Sequence, residues 1–292
     1  MDPIVSIRVI TYNHERYLAQ CLEGILMQRT TFPFEVIVGE DCSTDGTRAI
    51  ATAYAQRYPD RLRLITSETN VGGWANALRV RAACRGRYHA LCEGDDCWID
   101  PLKLQKQVDF LEAHPASPLC FHDALIIWEG KTSWPRYYCP NDLAELITLE
   151  EVITRPCFIP TASIVLRASL YQTLPQWERE VWCSDLTLRL WSAQLGPLGY
   201  LNEIMSLWRR VPTGMTNTTS VQRSFEDTRY VLTAFDALTE HRYRAHIARR
   251  IRAIEIEYRE TLRSQRLGRW YMLLSPRKLV RKMQEYYANM RW

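Results

Sequence analysis

The chain has 292 residues, of which 47% are hydrophobic and 24% are charged, so it can bury a large core and is not intrinsically disordered. It contains no apolar run of about eighteen residues that could cross a bilayer and no signal-peptide pattern, which predicts a cytoplasmic protein. Its nine cysteines are scattered without a C-x-x-C pair, which argues against a zinc finger and indicates reduced thiols.

The net charge of +4 is unevenly distributed along the chain. Residues 242–292 hold 14 Lys and Arg against 4 Asp and Glu, whereas residues 1–241 hold 23 against 29. The sequence therefore describes a mildly acidic body of net charge −6 and a basic tail of net charge +10.

Strands and helices alternate through the first 115 residues. Short β-branched or apolar runs predict the strands, and apolar residues at helical spacing predict the helices. The predicted strands are 5–12, 34–38, 61–66 and 88–92, and the predicted helices are 15–28, 47–57, 74–84 and 101–114. This alternation predicts an α/β fold with a mostly parallel sheet and helices on both faces.

Polar segments follow three of the predicted strands. Thr-Tyr-Asn (residues 11–13) ends the first strand, Glu-Asp (40–41) ends the second, and Glu-Gly-Asp-Asp (93–96) ends the fourth. The carboxyl ends of parallel strands lie at one edge of a sheet, and ligands bind there. We therefore expect the three segments to meet at that edge.

The segment 93–96 places three carboxylates directly after a buried strand. Like charges this close raise one another's pKa unless a cation lies among them, and a divalent cation that bridges phosphates would serve. Carboxylate, water and phosphate oxygens suit Mg²⁺ or Mn²⁺ rather than zinc. The spacing alone would equally suit a solvated acidic turn before the next helix.

Three ordered motifs resemble a known family. They are VSIRVITYNHERYLAQCLEGILMQ (residues 5–28), FEVIVGEDCSTDGT (34–47) and NVGGWANALRVRAACRGRYHALCEGDDCW (70–98). Together they are similar to the N-terminal half of inverting family 2 glycosyltransferases, which have the GT-A fold. The resemblance implies a Rossmann-like GT-A domain over residues 1–222, followed by a basic helical extension over residues 223–292.

The resemblance also implies site residues. It places eight residues beside the nucleotide, namely Thr11, Tyr12, Glu15, Glu40, Asp41, Asn76, Glu93 and Arg209. Asp41 would meet the base, typically uracil, which implies a UDP-linked donor. The DxD motif of the family corresponds to Glu93-Gly94-Asp95, with Glu in place of the first Asp. Asp95 would bind Mn²⁺ or Mg²⁺, Glu93 would bind the metal or the ribose, and Asp96 would support them.

On the acceptor side, the resemblance makes Asp185 the general base, although an N-terminal helix cap would also explain its position. Arg209 matches the Tyr-Arg-x-His motif of the family, but Val211 stands where the His that helps hold the metal or diphosphate would be. Either the metal keeps an extra water, or Arg209 and Arg210 carry more of the diphosphate charge. The processive Q-x-x-R-W signature is absent, which favours transfer of a single sugar.

The implied function is metal-dependent, inverting transfer of a sugar from a nucleotide-diphospho-sugar to a hydroxyl of a glycan, lipid-linked or protein acceptor. It would serve surface-polysaccharide synthesis, lipid-linked glycan synthesis or protein glycosylation. One alternative is a sugar nucleotidyltransferase, but the Gly-rich basic loop of that class is missing after the first strand. The other is a non-catalytic scaffold or binding protein of the same fold, which Val211 and Glu93 permit.

The basic tail has a helical pattern with interleaved arginines and aromatic residues. This composition predicts helices that lie on an anionic membrane surface, at the inner face of the membrane. A basic face packed on the acidic body, or on a second subunit of a homo-oligomer, is an equally open alternative. Nucleic-acid binding is not expected, because no recognised nucleic-acid-binding fold accompanies the charge.

Overall fold

The computed structural model describes residues 2–130, 136–175, 184–212 and 214–272. Two compact units make up the chain: the first ends at Thr218 and the second begins at Thr219. The boundary expected after residue 222 falls in the first turn of a helix that spans Val221–Leu238.

Within the described residues, ten strands of the first unit form one sheet. They are β1 (Val5–Thr11), β2 (Phe34–Glu40), β3 (Leu62–Thr66), β4 (Tyr88–Glu93), β5 (Cys97–Trp98), β6 (Leu119–Trp128), β7 (Arg136–Tyr137), β8 (Leu146–Ile147), β9 (Val165–Arg167) and β10 (Leu198–Arg210). The main order is β3-β2-β1-β4-β9-β6-β10-β5, with β7 beside β6 and β8 beside β10. The β3-β2-β1-β4 strands pair in parallel, as do β6 and β10, which confirms the predicted mostly parallel sheet.

The sheet is flanked by helices. In the first unit these are α1 (Leu18–Leu26), α2 (Thr47–Arg57), α3 (Gly73–Ala83), α4 (Lys103–Ala113), α5 (Leu149–Thr154), α6 (Ser184–Leu195) and α7 (Met215–Thr218). Helix α1 shows why they form, since its apolar residues Leu18, Cys21, Leu22 and Ile25 all fall on one face and are fully buried.

The polar ends of three strands lie in register. Thr11 pairs with Glu40 across β1 and β2, and Ile10 pairs with Glu93 across β1 and β4. The three predicted polar segments therefore meet at one edge of the sheet, as expected for parallel strands.

One antiparallel strand interrupts the parallel order. The chain returns to the sheet through a 3-10 turn, Thr161–Ser163, followed by β9, which pairs antiparallel with β4 and β6. Three side chains brace this turn. Trp98 Nε1 donates to the Ala162 carbonyl (2.8 Å), Gln107 Nε2 donates to the Ser163 carbonyl (2.8 Å), and the Lys103 ammonium, 3.9 Å from the centre of the Trp98 ring, donates to Gln107 Oε1 (2.7 Å).

The second unit is a helical hairpin of α8 (Val221–Leu238) and α9 (Arg244–Met272). Phe225 on α8 stacks on Tyr258 on α9, with ring centres 4.6 Å apart. The buried residues that form the seam are Val231, Leu232, Phe235, Ile247 and Ile254. No helix in the described ranges combines the length and hydropathy needed to span a bilayer.

The face of α9 opposite this seam carries a row of exposed arginines. Arg249, Arg252, Arg259 and Arg263 extend over about 21 Å of helix. Within the described part of the chain, their guanidinium groups have no hydrogen-bond or carboxylate partner. Ile256, which is 58% exposed, lies among them. We call these four residues the arginine stripe.

Candidate active site

Loop residues after β1 are held by the loop after β2. Asn13 has a left-handed backbone (φ 55°), and its backbone N–H donates to Ser43 Oγ (3.0 Å). The Glu15 carboxylate accepts from the Gly46 N–H (3.0 Å). Tyr12 is 41% exposed, whereas Thr11 is buried. The predicted nucleotide residues Thr11, Tyr12 and Glu15 thus lie together at the edge.

Glu40, the first carboxylate after β2, is fully buried and well supplied with donors. It accepts hydrogen bonds from the Ser43 N–H (2.5 Å) and from Arg48 Nε (2.5 Å). Burial alone would raise the pKa of Glu40, but the bonds from Ser43 and Arg48 outweigh it and hold the pKa below its usual value. Glu40 is therefore a stable buried anion that ties the loop to α2.

Asp41 performs a similar task for the next loop. Its Oδ1 accepts from the Val71 N–H and its Oδ2 from the Gly72 N–H, both at 2.9 Å. Asn76, another predicted nucleotide residue, is 1% exposed, and its amide donates to the Gly39 carbonyl (2.7 Å). Oδ1 of Asp41 also accepts from Ser67 Oγ (3.3 Å) and lies 3.7 Å from Arg79 Nη2, so about one of the four acceptor positions of this carboxylate is left for a ligand.

The turn after β4 is different. Oε2 of Glu93 is buried and has no hydrogen-bond partner among the residues that the structure describes. Burial, together with the charges of Asp185 and Asp95, raises the pKa of Glu93 to about 8. Burial and the charges of Asp95 and Glu93 likewise raise the pKa of Asp96 well above its usual value. The charge of Arg189 lowers the pKa of Glu93, but it does not outweigh these effects.

Arg209 joins this turn to the last long strand. Its backbone N–H donates to Asp96 Oδ1 (2.9 Å) and its Nε donates to the Asp95 carbonyl (2.9 Å). Its Nη2 donates to Gln20 Oε1 (2.6 Å). Arg209 therefore holds the backbone of the acidic turn, while Val211, two residues on, is 3% exposed.

Asp185 lies in the first turn of α6 and is 43% exposed. Its Oδ2 accepts from Thr161 Oγ1 (2.8 Å) and lies 3.6 Å from Arg189 Nη2, while Arg189 Nη1 contacts Cys157 Sγ (2.6 Å). After burial, the charge of Asp185 has the largest effect on the pKa of Glu93, so Asp185 and the acidic turn share one electrostatic environment.

His14 is a site residue that the sequence interpretation missed. Its Nε2 lies 3.8 Å from Asp95 Oδ2, and its Nδ1 lies 3.2 Å from Thr11 Oγ1. A Cβ at Gly94 would stand 2.6 Å from Thr11 Oγ1 and 2.9 Å from His14 Nδ1, so only glycine allows this approach. The one available signal was the position of His14 directly after the Thr-Tyr-Asn segment.

The acidic turn fits a divalent cation in its chemistry. The unpartnered oxygen of Glu93 and the raised pKa values of Glu93 and Asp96 are what a missing positive charge leaves behind. Among the described residues, no three His, Cys, Asp or Glu side chains form a ready-made metal site. A cation here would therefore draw further ligands from substrate phosphates and water, as Mg²⁺ commonly does.

The sheet topology and the acidic edge define an α/β protein of the GT-A class. Residues 6–174, more than half of the chain, match the family model "Glycosyl transferase family 2". The chain therefore belongs to glycosyltransferase family 2.

The chain is also similar to curated relatives and to solved structures. An uncharacterised protein of Mycobacterium tuberculosis is 39% identical over 227 residues, which cover 77% of this chain and 64% of that protein. The chain thus spans less than two thirds of that relative. The S. aureus TarS structure in complex with UDP-GlcNAc aligns with a TM-score of 0.60 at 19% identity, over 80% of this chain and 66% of that chain.

A second solved structure covers nearly the whole chain. The mannosyltransferase PcManGT from Pyrobaculum calidifontis, in complex with GDP-Man and Mn²⁺, aligns with a TM-score of 0.62 at 17% identity. The alignment covers 98% of this chain and 85% of that chain. At these identities the two structures establish the GT-A fold.

Proposed function

We propose that the protein transfers a single sugar from a nucleotide-diphospho-sugar to an acceptor hydroxyl, with inversion at the anomeric carbon. The family preference makes UDP the expected nucleotide. The observation that carries this proposal is the shared environment of Asp185 and the acidic turn, which is what a base beside a metal site would require.

In the proposed reaction, Asp185 accepts the proton of the acceptor hydroxyl as its oxygen attacks the anomeric carbon. The bond from that carbon to the diphosphate oxygen breaks, and the nucleoside diphosphate leaves with the bonding electrons. Thr161 orients Asp185 by donating to Oδ2 (2.8 Å). Removal of the hydroxyl proton by a positioned base contributes roughly 10²–10⁴ in rate.

Asp95 and Glu93 would hold a divalent cation, Mn²⁺ or Mg²⁺, with Asp96 behind them. Such an ion supplies positive charge that stabilises a departing diphosphate. Thr11, Tyr12, Glu15 and Asp41 would surround the nucleotide. Glu40 and Asn76 would support that pocket through the loop after β2.

Two complexes of structural neighbours support a nucleotide-sugar donor. One neighbour contains UDP-GlcNAc, and the other contains GDP-Man with Mn²⁺. The acceptor follows from the family as a glycan, lipid-linked or protein hydroxyl.

A donor panel tests the proposal. The purified chain is incubated with UDP-, GDP- and dTDP-sugars, with Mn²⁺, Mg²⁺ or EDTA and without acceptor, and release of nucleoside diphosphate is measured. We expect slow, metal-dependent release from one donor. Release of inorganic diphosphate in the presence of a nucleoside triphosphate and a sugar phosphate would instead identify a nucleotidyltransferase, and no binding or release would identify a scaffold protein.

We further propose that the arginine stripe docks on an anionic membrane surface, which would place the enzyme at the inner face of the membrane. Unpaired guanidinium groups complement lipid phosphates, and each basic residue near such a surface adds about 1 kcal/mol. The exposed Ile256 within the stripe favours a lipid interface over nucleic acid.

Vesicle flotation with the full chain tests this docking. Binding is expected to vesicles with anionic lipid, to be absent with neutral lipid, and to weaken with salt. A variant with Arg249, Arg252, Arg259 and Arg263 changed to Gln should lose roughly tenfold or more. The matched control changes four exposed arginines of the first unit, Arg29, Arg57, Arg61 and Arg136, to Gln.

If the control variant loses vesicle binding to the same extent, the loss reflects net charge alone. That result would overturn the assignment of the arginine stripe as the docking surface. Retained binding in the stripe variant would do the same. Self-association or DNA binding that requires the stripe, without vesicle binding, would identify a different partner.

A further inference from the structure

The histidine of the Tyr-Arg-x-His motif, which would help to hold the metal or diphosphate, is absent from this sequence. Arg209 and Arg210 do not replace it. Val211 stands in its place and is buried. The guanidinium of Arg209 donates to the Asp95 carbonyl and to Gln20. The Arg210 guanidinium packs 4.2 Å from the Trp128 ring centre and donates to Asn217 Oδ1 (3.0 Å). Both arginines are therefore committed to protein partners.

We propose that His14 replaces that histidine and shares the divalent cation with Asp95. The inference rests on the proposed metal-dependent function and names a residue that reaches the acidic turn from the loop after β1, the strand next to β4.

The geometry supports a common ion. Two ligand atoms that each lie about 2.1 Å from an ion can be at most about 4.2 Å apart. His14 Nε2 and Asp95 Oδ2 are 3.8 Å apart, within that limit. Their side chains are 21% and 17% exposed, so the space between them can be reached by an ion and a substrate phosphate.

His14 is also held in the manner of a metal ligand. Its backbone N–H donates to Thr47 Oγ1 (2.7 Å), and Gly94 allows its ring to lie against the acidic turn. Nδ1 lies 3.2 Å from Thr11 Oγ1. A proton on Nδ1 donated to Thr11 leaves the Nε2 lone pair facing Asp95. Ligating histidines are usually oriented through the second ring nitrogen in this way.

A second independent feature points to an ion at this place. The buried Oε2 of Glu93, in the same turn, has no hydrogen-bond partner among the described residues. With Asp95, His14 would give one oxygen and one nitrogen ligand, with the remaining positions left to diphosphate and water. Mg²⁺ dehydrates reluctantly and is held through carboxylates, phosphates and waters, so an imidazole ligand favours Mn²⁺ over Mg²⁺. The inference therefore predicts a preference for Mn²⁺ over Mg²⁺.

The test measures metal binding directly. Mn²⁺ is titrated into the full chain in the presence of UDP, and the free ion is followed by electron paramagnetic resonance. His14→Ala should weaken Mn²⁺ binding roughly tenfold or more. The affinity for Mg²⁺, measured by competition with Mn²⁺, should change little. His246→Ala, at an exposed position in α9, is the matched control and should bind as wild type does.

Electron spin-echo modulation then separates a ligand from a neighbour. Bound Mn²⁺ in the wild type should show a ¹⁴N modulation that disappears in His14→Ala and in protein labelled with ¹⁵N-histidine. Mn²⁺ bound without that modulation, or with unchanged affinity in His14→Ala, overturns the inference and leaves the proposed function intact. No Mn²⁺ binding with any nucleoside diphosphate would overturn the metal-dependent function itself.

Discussion

The loop after β2 and the turn after β4 bring the same kind of residue to the same edge of the sheet, with opposite electrostatic outcomes. Glu40 is buried and accepts hydrogen bonds from Ser43 and Arg48, which hold its pKa below the usual value. Glu93 has a buried oxygen without a partner, and burial with its acidic neighbours raises its pKa to about 8.

This difference in hydrogen bonding separates a carboxylate that stabilises the loop from one that would be stabilised by a bound cation. A buried anion that already has donors stabilises the fold, whereas one without them costs free energy until a cation arrives. The carboxylate of the β2 loop therefore already has its partners, whereas a cation at the β4 turn would remove an electrostatic cost.

The largest effect is expected from a change at Asp185, whose negative charge raises the pKa of Glu93 in the β4 turn. Asp185→Asn should lower the rate of transfer by roughly 10²–10⁴, because the base is lost, while donor affinity is retained. Single-turnover transfer and calorimetric donor titration check the two parts. Retained turnover would remove Asp185 from the role of base.

Glu93→Gln should stabilise the metal-free protein at neutral pH. The folded-state pKa of Glu93, about 8, lies above the usual glutamate value of 4.5, so the unfolded chain releases this proton at lower pH. The stability that this group contributes is present below pH 4.5 and is lost as the pH rises through about 8. The gain should reach up to about 3 kcal/mol at pH 7.

Urea unfolding in EDTA, at pH 5 and at pH 8, measures this gain. The difference between wild type and Glu93→Gln should grow with pH, and saturating Mn²⁺ with UDP should reverse it by stabilising the wild type alone. A difference that does not change with pH would contradict the assignment.

Glu40→Gln should act in the opposite direction. The lowered pKa of Glu40 means that its contribution to stability is present at neutral pH and is lost as the pH falls through the folded-state pKa. Loss of charged hydrogen bonds to Ser43 and Arg48 should cost about 2 kcal/mol at pH 7. The same unfolding measurement checks this value, and a stabilised Glu40→Gln would erase the contrast between the two regions.

Sequence patterns predicted the elements that depend on strong local periodicity. Val5–Thr11 and Thr47–Arg57 were recognisable because β-branched runs and helical spacing repeat over several residues. The meeting of Glu40 and Glu93 at one edge followed from the rule that parallel strands align their carboxyl ends.

Features that depend on tertiary contacts could not be predicted from sequence patterns. The strand Val165–Arg167 has three residues and gives no periodic signal, so its antiparallel insertion between β4 and β6 was not predicted. Lys103 is fully buried, and burial lowers its pKa to about 7, yet no local pattern marks this lysine as different from Lys106. The contact of His14 with Asp95 depends on how Gly94 packs against Thr11.

The smallest effect is expected from a change at Thr161. Its hydroxyl donates a hydrogen bond to Asp185, whereas Oε2 of Glu93 has no such donor among the described residues. Thr161→Val removes the 2.8 Å bond to Asp185 Oδ2 while keeping the shape of the side chain. Transfer should slow by roughly tenfold, because the base loses its orientation, and donor affinity should be unchanged. Thr161→Ser keeps the hydroxyl and should restore most of the rate. Equal losses in both variants would show that Thr161 acts through packing of the 161–163 turn, which Trp98 and Gln107 brace, and not through its hydroxyl.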